Sequence, residues 1–101
     1  MERGKFMFNI TDNKGFSMTF KNGCTISVQF GIMNYCSNYS TRYGYDKLYE
    51  TTNDSKDAEI AVWKADGTWI TKDILPLECG DVKGYVEADE VAEIILKVKN
   101  Y

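Results

Sequence analysis

The chain has 101 residues, 15 acidic against 12 basic for a formal net charge of −3, with no histidine, one proline and three cysteines. The missing histidine excludes a Ser-His-Asp triad, a Cys-His pair, an imidazole general base and any His-containing zinc or haem site. The mild acidity argues against wrapping a long nucleic-acid duplex, which calls for a basic stripe, but leaves room for a small anion met by a few local donors.

Hydrophobic residues at 44% and charged residues at 27% match an ordinary globular protein, and a chain of this length is expected to form one domain over residues 1–101. No apolar run approaches the roughly 20 residues that span a bilayer, and Met1-Glu2-Arg3-Gly4-Lys5 is not followed by a signal-peptide core. A cytoplasmic protein without a membrane partner is the expectation. Cys24, Cys36 and Cys79 are odd in number and form no CxxC, so neither a complete disulfide set nor a four-cysteine zinc site can be drawn.

The first two thirds read as hairpins. Residues 6–10 form a short apolar, β-prone segment, and Asp12-Asn13-Lys14-Gly15 follows as a turn. Phe16, Met18 and Phe20 then alternate with Ser17 and Thr19. Beyond Lys21-Asn22-Gly23, Cys24, Ile26, Val28 and Phe30 alternate with Thr25, Ser27 and Gln29. An Asn-Gly pair between two period-2 segments predicts a hairpin, with the apolar rows on one face and Ser17, Thr19, Thr25, Ser27 and Gln29 on the other.

A second hairpin is expected from residues 58–64 and 68–73 around Ala65-Asp66-Gly67, with Trp63 and Trp69 near its mouth and Ile60, Val62, Ile70 and Ile74 in the core. Residues 75–84, with Pro76, Gly80 and Gly84, read as an irregular crossing that holds one short strand near 83–86. From Ala88 to Lys99, the residues Val91, Ile94, Ile95 and Val98 recur at i, i+3, i+4 and i+7, which gathers them on one helical face. Glu87, Asp89 and Glu90 at the start and Lys97 and Lys99 at the end follow the helix dipole. The predicted fold class is α+β: an antiparallel sheet built from two or more β-hairpins and covered by one C-terminal α-helix.

Between the hairpins the composition shifts. Five of the seven tyrosines fall within residues 35–49, beside Asn34, Asn38, Ser37, Ser40 and Thr41, and Arg42 is one of two arginines in the chain. A long loop inside a compact domain is often functional. Tyrosine offers a flat face for stacking and a phenol for hydrogen bonding, with little entropy to lose. Asparagine presents a donor and an acceptor to a base edge, and arginine holds a phosphate through two parallel bonds. Gly31 lets a ligand approach backbone amides closely. The candidate ligand-binding residues are therefore Asn34, Tyr35, Asn38, Tyr39, Arg42, Tyr43 and Tyr45, with Tyr35, Tyr39 or Tyr43 stacking, the asparagines reading an edge and Arg42 meeting phosphate. The same composition also suits an exposed loop, satellite packing or a subunit interface.

Other candidates yield to plainer readings. Trp63 and Trp69 are expected to pack across a hairpin rather than to clamp a ligand. Asp54, Asp57 and Glu59 lack the spacing of a calcium loop and read as a solvated face, so no metal site is expected. Glu78-Cys79-Gly80-Asp81 provides no stabiliser for a thiolate, and Cys24 reads as a small core hydrophobe. Neither GxGxxG nor GxxxxGK[ST] occurs, so no nucleotide cofactor fold is indicated. No catalytic residues and no cofactor are expected.

At Phe8-Asn-Ile-Thr-Asp, Gly15-Phe-Ser-Met-Thr-Phe-Lys-Asn-Gly, Ser27-Val-Gln-Phe-Gly and Asn34-Tyr-Cys-Ser-Asn, the chain resembles a group of short tailed-phage proteins. Ala58-Glu-Ile-Ala-Val-Trp, Asp66-Gly and Asp89-Glu-Val-Ala extend the likeness over most of its length. Small phage proteins of this size include sponges that sequester cyclic-nucleotide or cyclic ADP-ribose immune signals, and inhibitors of host nucleases. The resemblance thus implies an anti-defence context in the host cytoplasm. The leading expectation is a non-enzymatic, homo-oligomeric sponge for a small nucleotide, its site shared between protomers because a chain this short has little room for a deep pocket. The alternative is an anti-CRISPR-like inhibitor that binds a host defence protein through the tyrosine loop or an exposed strand edge.

Overall fold

The structure, a computed structural model, describes residues 6–11, 14–39, 54–75 and 80–101. Among them the chain runs β1 (Phe8–Thr11), β2 (Gly15–Thr19), β3 (Thr25–Gln29), β4 (Asp57–Trp63), α1 (Thr71–Ile74), β5 (Lys83–Glu87) and α2 (Ala88–Lys99). The strands form one antiparallel sheet in the order β1-β2-β3-β4-β5. With α2 packed on β3, β4 and β5, the fold is α+β, as the hairpin and helix patterns predict.

Register explains which residues reach the core. Phe16 lies opposite Val28, Met18 opposite Ile26, Val62 opposite Ile26 and Ile60 opposite Val28. One apolar face thus crosses three strands. Ile26, Val28, Ile60, Val62 and Val86 are buried there against Ile94 and Val98 of α2, with Val91 and Ile95 partly covered. Cys24 joins this core as a free buried thiol. The opposite face carries Ser17, Thr19, Thr25, Ser27 and Gln29, and the Thr19 and Thr25 hydroxyls are hydrogen-bonded across the β2–β3 pair at 2.8 Å.

The first hairpin turn contains Gly23 at φ +88°, a left-handed conformation that glycine adopts without steric cost. Asn22 locks that turn to the end of α2. Its Nδ2 donates to the carbonyls of Val98 (2.9 Å) and Lys99 (3.2 Å), while its Oδ1 accepts the Cys24 N–H (2.9 Å). This side chain supplies a donor to the last carbonyls of the helix, of which Val98 also accepts the Tyr101 N–H (3.2 Å).

The second hairpin departs from the expected one. Beyond Ala65-Asp66-Gly67 the returning arm pairs through the Trp63–Trp69 bridge, flanked by the Lys64 N–H to Thr68 carbonyl and Ile70 N–H to Val62 carbonyl bonds (2.8 Å each), then turns into α1. Thr71 is the cause. Its buried Oγ1 accepts the Val62 N–H at 3.0 Å and donates to the Asp81 carbonyl at 2.6 Å, so a side chain takes the position the next strand residue would have filled. The remainder of that β4 edge pairs with β5 through a register shift between Ala58 and Ile60. The tryptophans form the expected cross-strand pair, with ring centroids 5.5 Å apart and planes at 43°.

Candidate functional site

The tyrosine-bearing loop leaves the end of β3, and its described part, residues 31–39, is tied to the neighbouring strand by side chain to backbone bonds. Gly31 N–H donates to Asn34 Oδ1 (2.9 Å), and Asn34 N–H donates to the Gly31 carbonyl (3.1 Å), which closes a tight turn. Cys36 is buried beneath it, its thiol 3.4 Å from the Gly31 carbonyl. Gly31 is itself buried and its amide is engaged by Asn34, so it forms the root of the loop rather than an open approach for a ligand.

Two carboxylates of β4 hold the loop from below. Glu59 accepts the Tyr35 N–H through Oε2 (3.0 Å) and Asn34 Nδ2 through Oε1 (3.3 Å). Asp57 accepts the Ser37 N–H through Oδ1 (2.6 Å) and the Ser37 hydroxyl through Oδ2 (2.9 Å). Asn38 Nδ2 donates to the carbonyls of Phe30 (2.8 Å) and Asp54 (3.0 Å), fastening the far end. Charge-assisted bonds of this kind are stronger than neutral ones. The backbone of residues 31–39 is thereby fixed.

Upon this frame the aromatic side chains stand outward. Tyr35 and Tyr39 pack with ring centroids 5.5 Å apart and planes at 37°. Tyr35 is 51% exposed, Met33 64% and Tyr85 57%. Tyr85 joins the group because its N–H donates to the Tyr35 carbonyl at 2.9 Å. It does so at φ +58°, an uncommon conformation for a residue with a side chain. Gly84 is required beside it, since a Cβ there would stand 2.7 Å from Tyr35 Cβ and 3.0 Å from its carbonyl oxygen.

Of the residues the sequence singles out, Asn34, Tyr35, Asn38 and Tyr39 are thus brought together, while Arg42, Tyr43 and Tyr45 lie outside the described residues. The two tyrosines present exposed faces. The two asparagines instead direct their amide donors to the loop's own frame. Asp57 and Glu59, expected to form a solvated acidic face, instead bind the loop; their alternation on β4, with Gln29 opposite Glu59, is the sequence signal that they share a surface with it. Among the described residues no group of three or more His, Cys, Asp or Glu is placed to hold a metal ion. Nor is any described helix long and apolar enough to cross a membrane. No protein-family model, curated protein or solved structure matches the chain.

Proposed function

We propose that the chain is a non-enzymatic binding protein whose Met33, Tyr35, Tyr39 and Tyr85 face docks a second protein, in the manner of a phage inhibitor of a host defence factor acting in the host cytoplasm. The observation that carries this reading is the exposed Tyr35–Tyr39 ring pair on a backbone fixed by Glu59 and Asp57, with exposed Met33 on the same loop and exposed Tyr85 on the strand bonded to it. Tyrosine and methionine are enriched at the centres of protein interfaces, and a rigid platform loses little entropy on binding. Residues 31–39 carry no charged side chain, and the carboxylates of Asp57 and Glu59 are occupied by the loop's own donors, so the described face is neutral and aromatic, as the centre of a protein interface is.

A second reading keeps the same face for a small cyclic nucleotide held by a homo-oligomeric sponge. The tilted Tyr35–Tyr39 pair favours it, because an exposed ring supports base stacking. The tailed-phage resemblance is compatible with both.

Wild-type protein and the double variant Tyr35→Ala/Tyr39→Ala separate them. Protein docking predicts a stoichiometric host protein that co-purifies with the wild type and binds the variant at least about thirtyfold more weakly, the loss expected for a central aromatic contact. Native mass spectrometry that instead finds a released nucleotide, lost in the variant, would install the sponge reading in its place.

A further inference from the structure

At the opposite end of β3 and β4, about 13 Å from the tyrosine loop by the rise of a five-residue strand, lies a cleft of about 470 Å³. Its floor is a cross-strand row on the polar face of the sheet: Thr19 opposite Thr25, and Thr25 opposite Trp63. Phe6 closes the β2 side, placed there by the bond from Thr19 N–H to the Met7 carbonyl (2.9 Å). Trp63 closes the other. The walls are the two hairpin turns, which bring in Lys21 and Lys64.

We infer that this cleft is a binding site for a small anion bearing a flat ring, of the nucleoside monophosphate class. Its volume falls in the range of small-molecule sites, about 300–1,000 Å³. Phe6 and Trp63 provide apolar faces for a base, and the Thr19 and Thr25 hydroxyls, bonded to each other, keep one proton and free lone pairs between them. Lys21 and Lys64 bring two positive charges, and among the described residues no carboxylate lines the cleft, in a chain whose net charge is −3. Among the described residues Lys21 has no carboxylate partner. Asp66 accepts the Thr68 N–H at 2.9 Å and also feels the charge of Lys64, so Lys21 is the less compensated of the two cations.

The walls are also fixed in advance. Asn22 is bonded to the end of α2 and to Cys24 N–H, and a Cβ on Gly23 would stand 3.0 Å from Ala65 Cβ, so the two turns abut. A site whose walls are already ordered loses less entropy when a ligand arrives.

The test is titration of the wild-type chain with adenosine 5′-monophosphate, adenosine and inorganic phosphate, read by backbone amide NMR shifts. Tryptophan emission in a Trp69→Phe background, which isolates Trp63, provides the second readout. The expected result is saturable binding of the monophosphate with shifts at Thr19, Thr25 and Lys64, and at least about tenfold weaker binding of adenosine and of phosphate alone. Lys21→Gln/Lys64→Gln, two exposed changes, lowers the monophosphate affinity at least about tenfold with an unchanged circular dichroism spectrum. Tyr35→Ala/Tyr39→Ala leaves it unaltered, which keeps this site distinguishable from the loop. Absence of saturation at about 1 mM, adenosine binding as tightly as its phosphate, or an undiminished lysine variant would each overturn the assignment.

Discussion

Glu59 shows how one side chain organises the candidate face. It is half-buried, and its two oxygens accept from Tyr35 N–H and Asn34 Nδ2. Removing it leaves both donors without their acceptor, so Glu59→Ala is expected to cost about 1–3 kcal/mol in urea unfolding. Glu59→Gln, which retains one carbonyl oxygen, is expected to cost less; equal losses would show that the acceptor geometry is immaterial. Asp66 gives a pH effect of defined sign. Hydrogen bonds from the Thr68 hydroxyl, and then from its amide, lower the Asp66 pKa below the ordinary aspartate value. A carboxyl whose pKa is lower folded than unfolded stabilises fully above its unfolded pKa, and that contribution disappears as pH falls through the folded value. Thr68→Val removes the hydroxyl and keeps the amide, so the Asp66 carboxyl resonance in an NMR titration should move its midpoint upward, towards the ordinary aspartate value. An unchanged midpoint would assign the effect to the backbone alone.

At the scale of the element, the outer edge of β4 is divided between β5 and the short return arm, and Thr71 stands at the division. Thr71→Val preserves shape but removes both the acceptor for Val62 N–H and the donor to Asp81, so a loss of about 1–3 kcal/mol is expected. Thr71→Ser should recover most of it. Thermal unfolding of the three proteins decides, and equal stability of Val and Thr forms would remove Thr71 from the account. The same residue marks how far sequence reading reaches. Asn22-Gly23 and the alternation around it specify the first hairpin because turn and strand signals are local, and α2 follows from apolar spacing over three turns. The second return arm is shorter than the strand pattern predicts because a threonine side chain completes the β4 ladder. The loop divides likewise: exposed Tyr35 and Tyr39 follow from composition, whereas the use of Asn34 and Asn38 as fasteners depends on Glu59, Phe30 and Asp54, which are remote in sequence or reached through backbone carbonyls.

Across the whole molecule, α2 packs on β3, β4 and β5, and the apolar row continues beyond it onto β1. There Phe8 is 64% exposed and Ile10 86%, with Phe8 supported by an edge contact to Phe16 at 6.3 Å between ring centroids. The strand Phe8-Asn9-Ile10-Thr11 carries no charge and no proline, and it is the outermost strand beside β2. The strand itself lacks the charge and proline that discourage edge pairing. A second copy of β1 is the occupant that fits, because an antiparallel strand pairs with itself about a two-fold axis and places both Phe8 and Ile10 rows on one continuous face. Met7, Phe8 and Ile10 offer roughly 350 Å² of apolar surface by the areas of side chains this large, about half of the ~800 Å² per partner of a standard interface. The homo-oligomer proposed for the sponge reading is therefore expected to be a weak, concentration-dependent dimer with its seam at β1. Sedimentation velocity over a concentration series should show the dimer in the wild type and its loss in Ile10→Lys, a change at an exposed edge position that should leave monomer stability within about 0.5 kcal/mol. A wild-type chain that stays monomeric throughout, or an Ile10→Lys chain that still dimerises, would remove β1 as the seam.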